Sequence, residues 1–521
     1  MIDIPFYLIW GNQYIRKLIR NLLCQNYIID VDKEYLIENH QYLSLFTNRD
    51  KLDYNIHIRF IGDASDYLNI NNSHRNVING VELELGDGFD LNEIHDGVHK
   101  LSLTTKDDTT IVAGKLPPSI TFLHLSNDRY SCTPFVQPIL SNLPANVQEL
   151  ILDIHGDSIT SPCIMPESLT DIRSLAQLHY KNLKWFAVPP NKVYRSCTLF
   201  VDSMESFEWL FANKWITAIE MNVLPMLMSQ RQLPSHITNL KVYTDVVQDT
   251  SFFPHTLETL TCKYGTPFSH LAQLQVLKIT TNYQIKMEKG VLPSSLQELY
   301  LVYNHPLEVD VLPPHLTTLY LNDYDQPLCP NVLPPRLTTL YLYTFNQPLC
   351  PNVLPPSLTH LMFGLFSRPL NAFVLPQKLR KLYMQNCSQL TFPPNSLPVS
   401  LTDLSLYGLK GSFDQCQPLD NLKKLQVDSL DPSIATLLTN VKKLYLWVDN
   451  QVCDPSGIEC LYNTSIKSLY LEFRYMKTLY PNSLPPPIKY LTLVNADLES
   501  DDVIPSGCIS LKYKYIENMY R

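Results

Sequence analysis

Residues 340–363 read LYLYTFNQPLCPNVLPPSLTHLMF and join two copies of one sequence unit. VLPPRLTTLYLYTFNQPLCPN at 332–352 runs directly into VLPPSLTHLMFGLFSRPLNAF at 353–373, with the same residue types 21 positions apart. A chain repeats at so short a period when one structural unit cannot bury its apolar side alone and needs a copy stacked beside it. This stretch therefore predicts a solenoid, in which each repeat forms one coil.

Each clear repeat contains the pattern L-x-x-L-x-[LFM], as at Leu316, Leu319 and Leu321. The last two positions alternate with a period of two, which is typical of a strand with its leucines on one face. Identical strands that recur after only about a dozen connecting residues can pair only in parallel. Because proline cannot donate to a central ladder, the Leu-Pro pair before each strand predicts a bend that leads into it.

Three sets of residues follow the strands in phase with the repeat. They are Tyr324, Phe345 and Phe366, then Pro327, Pro348 and Pro369, then Leu328, Leu349 and Leu370. Apolar positions that recur periodically usually mark a buried face. We therefore expect an inward aromatic ring, a proline turn and an inward leucine that closes the far side of each coil.

Weaker copies of the repeat extend in both directions, from GVELEL at 80–85 to CISLKY at 508–513, and make roughly twenty coils. The pattern predicts four segments, which are a helical N-terminal cap segment at 1–60, degenerate repeats at 61–230, regular repeats at 231–513 and a tail at 514–521. The regular repeats are clearest at 292–398. ESFEWLFANKW at 205–215 interrupts the repeat and indicates an inserted helix.

The regular repeats resemble a known family. FNQP at Phe345–Pro348, set between LTTLYL and VLPPSLTHL, is similar to the FNIP repeat, a unit of about 22 residues related to leucine-rich repeats. The chain departs from that pattern at NHP (304–306), FSRP (366–369) and NCSQL (386–390), so these coils are expected to turn differently. The resemblance implies an open, leucine-rich-repeat-like β-solenoid with a parallel sheet of roughly 21–22 residues per repeat. It also implies a protein-interaction surface and no chemistry.

The N-terminal segment contains an amphipathic helical pattern. Its apolar positions are Ile15, Leu18, Ile19, Leu22 and Leu23, its basic positions are Arg16, Lys17 and Arg20, and Asn12 is a candidate N-cap. A second helix is expected over 33–46. Two interpretations are open: a cap that shields the first coil, as repeat arrays require, and an F-box-like adaptor segment, as some FNIP proteins resemble receptors with such a module. The expected early Leu-Pro pair of an F-box is missing.

The middle residue of each L-x-L strand points away from the core and forms a column along the coils. The candidate partner-binding face consists of Tyr300, Tyr320, Tyr341, Met362, Tyr383, Tyr445 and Tyr470, with Ser405 and Gln426 in the same column. Tyrosine gives a large contact area with a polar tip, which is why interfaces favour it. Stacked tyrosines also stabilise neighbouring strands, so a purely structural role is the alternative.

Composition and motifs argue against most other classes of protein. The chain of 521 residues has a net charge of -9 and no run of basic residues, so nucleic acid is not expected as a partner. It has no phosphate-binding loop, metal-binding spacing or nucleophile motif, which predicts a non-enzyme without cofactors. No stretch is long and apolar enough for a membrane helix and no secretory signal is recognised, so a cytoplasmic protein is expected, with the nucleus left open.

These observations predict a non-enzymatic scaffold whose strand face binds protein partners that the sequence does not identify. The alternative is a substrate-recognition adaptor of a ubiquitin ligase that acts through residues 1–60.

Overall fold

The computed structural model describes residues 12–106, 110–127, 134–175, 177–222, 231–243, 246–283, 285–387, 391–409, 411–428, 432–448, 461–462 and 464–514. The chain divides into two compact units, residues 1–244 and 245–521. Each is a parallel β-solenoid in which successive coils place short strands side by side, as the repeat predicts. Of the predicted tail, all but the first residue lie outside the described residues.

The helices are short. Those in the described residues are Gln13–Leu23 (α1), Lys33–Leu43 (α2), Asn48–Asp53 (α3), Ala64–Leu68 (α4), Asn72–Arg75 (α5), Val136–Leu140 (α6), Tyr180–Leu183 (α7) and Met204–Ala212 (α8), with 3-10 turns at Leu91–Glu93, Thr250–Phe252, Pro432–Leu437 and Asp501–Val503. α1 begins after Asn12, whose Oδ1 accepts a hydrogen bond from the Tyr14 amide at 2.9 Å, as the sequence predicts. α8 lies in the segment that predicts an inserted helix, and Ser203 caps it.

The first unit contains fifteen strands among its described residues. They are Ile28–Val31 (β1), His57–Asp63 (β2), Gly80–Glu84 (β3), Phe89–Asp90 (β4), Lys100–Thr105 (β5), Val112–Ala113 (β6), Phe122–Asn127 (β7), Glu149–Asp153 (β8), Cys163–Ile164 (β9), Asp171–Arg173 (β10), Leu178–His179 (β11), Phe186–Ala187 (β12), Tyr194–Val201 (β13), Ile216–Met221 (β14) and Asn239–Val242 (β15).

The main ladders of the first unit are parallel throughout. One runs in the order β1-β2-β3-β5-β7-β8-β10, and the other joins β11, β13, β14 and β15. Four two-residue strands pair separately, β4 with β6 and β9 with β12. The sheet already begins at β1, so residues 1–60 contribute strands as well as helices. The sequence IIDV of β1 lacks the L-x-L pattern by which the other strands are recognised.

The second unit continues the same plan more regularly. Its described strands are Thr259–Cys262 (β16), Val276–Asn282 (β17), Glu298–Val302 (β18), Thr318–Leu321 (β19), Thr339–Leu342 (β20), His360–Phe363 (β21), Lys381–Met384 (β22), Asp403–Leu406 (β23), Lys424–Val427 (β24), Lys443–Val448 (β25), Ser468–Leu479 (β26), Tyr490–Leu498 (β27) and Ser510–Lys514 (β28). Each pairs in parallel with the next, and equivalent repeat positions lie opposite each other, as Leu319, Leu340 and Leu361 do.

A column of stacked aromatic rings fills the interior of the regular coils. Tyr303, Tyr324, Phe345 and Phe366 are fully buried, and successive ring centroids are 6.4, 6.3 and 6.1 Å apart with nearly parallel planes. Leu328, Leu349 and Leu370 are buried at the far side of the coils. The predicted inward positions are confirmed. Burial of rings of this size stabilises a coil only when a neighbour supplies the next ring.

A second ladder explains why a short polar residue follows the aromatic ring. We call its members, Asn304, Asp325 and Asn346, the Asn-Asp ladder. Asn304 Oδ1 accepts a hydrogen bond from the Asp325 amide at 2.9 Å, and Asp325 Oδ1 accepts one from the Asn346 amide at 2.8 Å. Asn346 Oδ1 continues the series with the Ser367 amide at 2.9 Å. Each side chain thus accepts a hydrogen bond from a backbone amide of the next coil. These amides lie beyond the ends of the strands, so the backbone hydrogen bonds of the sheet do not reach them.

The turn before each Leu-Pro pair requires a left-handed backbone. φ is positive at equivalent positions of five consecutive coils, namely Asp310, Asn331, Asn352, Phe373 and Asn395. Asparagine and aspartate tolerate this conformation because their short polar side chains can bond locally, whereas a bulky side chain is strained there. Phe373 is the exception, and its side chain is 62% exposed.

Candidate partner-binding face

The predicted column lies on the outward face of the second unit, in continuous register. Tyr300 pairs with Tyr320, Tyr320 with Tyr341, Tyr341 with Met362 and Met362 with Tyr383. Further along, Tyr445 pairs with Tyr470. All seven predicted side chains are half-buried. We call them, together with Ser405 and Gln426, the tyrosine column.

The first part of the tyrosine column is a tight stack. The rings of Tyr300 and Tyr320 are 4.1 Å apart, those of Tyr320 and Tyr341 are 4.0 Å apart, and both pairs are within 10° of parallel. Lys278 covers the outer ring, with its Nζ 4.4 Å from the Tyr300 centroid. Burial raises the pKa of Tyr320, and the neighbouring tyrosine hydroxyls raise it further. The ring faces are occupied by one another, so the stack offers ring edges and hydroxyls to a partner.

Met362 interrupts the stack and leaves a depression of about 260 Å³. Its wall includes Tyr341 on one side and Tyr383 on the other, and the small side chain of Ser405 lies beyond. The other lining residues are His360, Leu361, Lys381, Leu382, Asp403, Lys424 and Gln426. The depression is open and lined by both apolar and charged groups, as a site for one or two side chains of a protein partner would be.

A looser aromatic cluster lies beyond the depression. Tyr383 contacts Tyr407 at 5.4 Å between centroids, Tyr407 contacts Trp447 at 5.3 Å, and Trp447 contacts Tyr470 at 5.7 Å. The Tyr470 hydroxyl donates to Glu472 at 2.7 Å, and burial together with that carboxylate raises the pKa of Tyr470 to about 12. Burial also raises the pKa of Tyr407 to about 12.

Sequence reasoning missed Tyr407 and Trp447. Both stand one position after the second buried residue of their strands, so they lie on the same outward face, two residues beyond the tyrosine column. The period-two pattern of KLYLWV at 443–448 was the available signal, because it continues one step past L-x-L. The face therefore has two aromatic columns near its C-terminal half.

The described residues contain neither a cluster of metal ligands nor a membrane-spanning helix. No three His, Cys, Asp or Glu side chains of the described residues are placed to hold a metal ion. The helices among those residues are all too short or too polar to cross a bilayer. The chemistry that the face offers is apolar contact, hydrogen bonding through hydroxyls and electrostatic attraction.

Comparison with known proteins agrees with the repeat structure. The FNIP repeat family model matches residues 303–344 and 345–387, which include the stacked aromatic core and the Asn-Asp ladder. Residues 303–387 therefore contain two FNIP repeats. No curated protein matches the sequence significantly.

Several solved structures are similar to this chain. CroV588, a circular leucine-rich-repeat protein, is 18% identical with a TM-score of 0.43, and the match covers 87% of this chain and 68% of CroV588. TLR13, solved in complex with ssRNA13, is 14% identical with a TM-score of 0.45, covering 85% and 86%. An internalin from Listeria monocytogenes is 16% identical with a TM-score of 0.32, covering 52% and 85%. The fold assignment rests on the strand pairing described above.

Proposed function

We propose that this chain, which contains FNIP repeats, is a non-enzymatic scaffold that binds protein partners through the outward strand face of its second unit. The observation that carries the proposal is the depression at Met362, which is flanked by the tyrosine stack on one side and the Tyr407–Trp447 cluster on the other. A column that served only to join strands would gain most from an unbroken stack. The break creates a recess between two rigid aromatic walls, and aromatic walls around a recess are common at interface hot spots.

The experiment compares capture of partners by three proteins from a lysate of the source cells. The test variant carries Tyr320→Ser, Tyr341→Ser and Tyr383→Ser. The control variant carries Tyr475→Ser and Tyr480→Ser, which are exposed tyrosines of the same unit outside the tyrosine column. We expect wild type and control to capture the same partner and the test variant to lose it, with circular dichroism confirming that all three are folded. Equal capture by all three would overturn the proposal.

A second candidate function, the ligase adaptor, is favoured by the orientation of α1. Its polar side faces the protein: Asn21 is buried and donates to Asp50 at 2.8 Å, and Lys17 forms an ion pair with Asp50 at 3.0 Å. Leu22 and Leu23 are 53% and 77% exposed. Burial raises the pKa of Asp50, but hydrogen bonds from Thr47, Lys17 and Asn21 outweigh it and lower that pKa. An apolar helix side turned outward is typical of a segment that docks on another protein.

The adaptor is tested without truncation, because deletion of residues 1–60 would remove β1 and half of β2. A Leu22→Ser, Leu23→Ser variant is compared with a Gln13→Ser, Arg16→Ser variant, which changes exposed polar positions of the same helix. The adaptor hypothesis predicts that only the first variant loses captured ubiquitin-ligase subunits. Absence of such subunits from the wild-type sample would contradict it.

A further inference from the structure

The two residues that precede the first buried leucine of each strand change character along the second unit. In β18 to β21 they are Gln297 and Glu298, Thr317 and Thr318, Thr338 and Thr339, and Thr359 and His360. From β22 onward they are mostly basic. The cations at these positions are Arg380, Lys381, Lys423, Lys424, Lys442, Lys443, Lys467 and Lys489, which we call the basic margin.

The strand register brings the lysines of the basic margin together. The Lys442 amide donates to the Lys423 carbonyl, the Lys467 amide to the Lys442 carbonyl and the Lys489 amide to the Lys467 carbonyl, all at 2.8–3.0 Å. Four lysines thus occupy one position on four adjacent strands, at a spacing of about 4.8 Å per strand. Like charges directly opposite each other on neighbouring strands destabilise a sheet. The protein therefore maintains an arrangement that costs stability.

No described carboxylate offsets this charge by an ion pair with the basic margin. Elsewhere in the same unit Lys289 pairs with Asp310 at 2.9 Å, so paired lysines do occur. The one carboxylate at these positions from β22 onward is Asp403, which lies opposite Lys381 and Lys424 in the strand register and accepts a hydrogen bond from Thr402. Every cation of the margin is exposed except Lys424, which is half-buried with its Nζ 4.8 Å from the Tyr445 centroid. An exposed row of lysines that forms no ion pair within the described residues, in a chain of net charge -9, is suited to an anionic partner.

A recess lies within the basic margin. It has a volume of about 480 Å³ and is lined by Leu438, Thr439, Lys442, Thr464, Ser465, Lys467 and Pro487. Lys442 Nζ donates to Ser465 Oγ at 3.1 Å, which holds the ammonium group at the rim. Two ammonium groups with nearby hydroxyls form a site that matches a carboxylate.

We propose that the basic margin binds an acidic, extended segment of a protein partner, whose apolar side chains contact the adjacent Tyr445, Trp447 and Tyr470. This inference rests on the proposed function and names the chemistry of the partner. The aromatic geometry favours a peptide over nucleic acid, because bases need free ring faces on which to stack. Lys424 covers one face of Tyr445, and Tyr470 packs against that ring at 5.9 Å between centroids.

The test measures binding of a fluorescein-labelled glutamate decamer to the full-length protein by anisotropy. The margin variant carries Lys423→Gln, Lys442→Gln, Lys467→Gln and Lys489→Gln. The charge-matched control carries Lys181→Gln, Lys241→Gln, Lys286→Gln and Lys289→Gln, which replaces lysines that form ion pairs. We expect wild type and control to bind the decamer and the margin variant to bind at least tenfold more weakly, with affinity falling as salt rises.

Three outcomes would overturn the inference. They are equal binding by the margin variant, no binding to wild type, and binding of a thymidine oligonucleotide that the glutamate decamer fails to displace. The margin variant should also melt no lower than wild type, because it relieves repulsion between strands. If it still captures the partner that the tyrosine test variant loses, the inference fails and the proposed scaffold function stands. If no variant affects capture, both fail.

Discussion

Strands β18 to β20 and strands β22 to β27 have the same inward design and opposite outward chemistry. Both groups bury at least two apolar side chains per strand at alternating positions. Outside, the first group shows threonines and closely stacked tyrosines, whereas the second shows lysines and a loose cluster of tyrosine and tryptophan. The inward positions are constrained by the neighbouring coils, while the outward ones are not. The comparison indicates that the buried residues determine the coil structure, whereas the outward residues can vary and acquire different binding chemistry.

The largest effect should come from the core of the regular coils. Phe345→Ala removes a fully buried ring from the stacked column and should reduce the free energy of unfolding by about 3–5 kcal/mol. Tyr343→Ala, on the exposed side of the same strand end, should change it by no more than about 0.5 kcal/mol. Urea denaturation measures both. Equal losses would show that inward and outward positions are not energetically distinct.

The Asn-Asp ladder distinguishes the regular coils from the later ones. Asp325→Ala removes the acceptor for the Asn346 amide and for Gln347 Nε2, so unfolding free energy should fall by about 1–2 kcal/mol. Asp323→Ala, two residues earlier and exposed, is the matched control. Hydrogen exchange should show the loss of protection centred on the Asn346 amide. Unchanged protection there would contradict the role of the ladder.

Phe373 is the only one of the five left-handed turn residues that is neither asparagine nor aspartate, and its replacement should be stabilising. Phe373→Asn restores the residue type found at Asn331, Asn352 and Asn395, and it should add roughly 0.5–1 kcal/mol by removing left-handed strain. The reverse change, Asn352→Phe, should cost a similar amount. Thermal and urea unfolding of the two variants provide the measurement. A less stable Phe373→Asn protein would contradict the expectation and would show that packing of the Phe373 ring outweighs the backbone strain.

The smallest effect concerns His360, at the boundary between the neutral and basic strands. Burial lowers its pKa below the ordinary value of 6.5, and the positive charge of Lys381 lowers it further. Because the unfolded chain then binds more protons below pH 6.5, this histidine reduces stability as the pH falls through that range. Lys381→Gln should raise the pKa of His360, as followed by histidine-selective NMR. A lower pKa of His360 in that variant would contradict the effect assigned to the charge of Lys381.

The repeat made most of the fold predictable from sequence. The period of 21 residues, the L-x-L strands and the inward positions of Tyr324, Phe345 and Phe366 follow from alternation and phase alone. β1 was missed because its short sequence has no such phase. The outward orientation of Leu22 and Leu23 was not predictable, since it depends on the buried Asp50, which attracts the polar side of α1 from 29 positions away.

Only part of the candidate site could be predicted, because only part of it follows the sequence repeat. The tyrosine column is regular in sequence, so it could be predicted as a face, and its binding role stays a prediction. The basic margin never appears as a run, because its lysines are separated by about 20 residues and are assembled only by strand pairing. In the sequence Met362 is one more member of the tyrosine column, and the recess beside it is seen only in the structure.

The Asn-Asp ladder makes each coil interchangeable with its neighbour. Asp325 accepts a hydrogen bond from the Asn346 amide, just as Asn346 accepts one from the Ser367 amide. The coils at 312–332 and 333–353 differ at only a few positions, most of them exposed or similar in shape. Loss or duplication of one such 21-residue block would leave every remaining acceptor facing an equivalent donor. We therefore expect this part of the chain to tolerate gain or loss of whole coils, which would change the spacing between the tyrosine stack and other surfaces in steps of one coil.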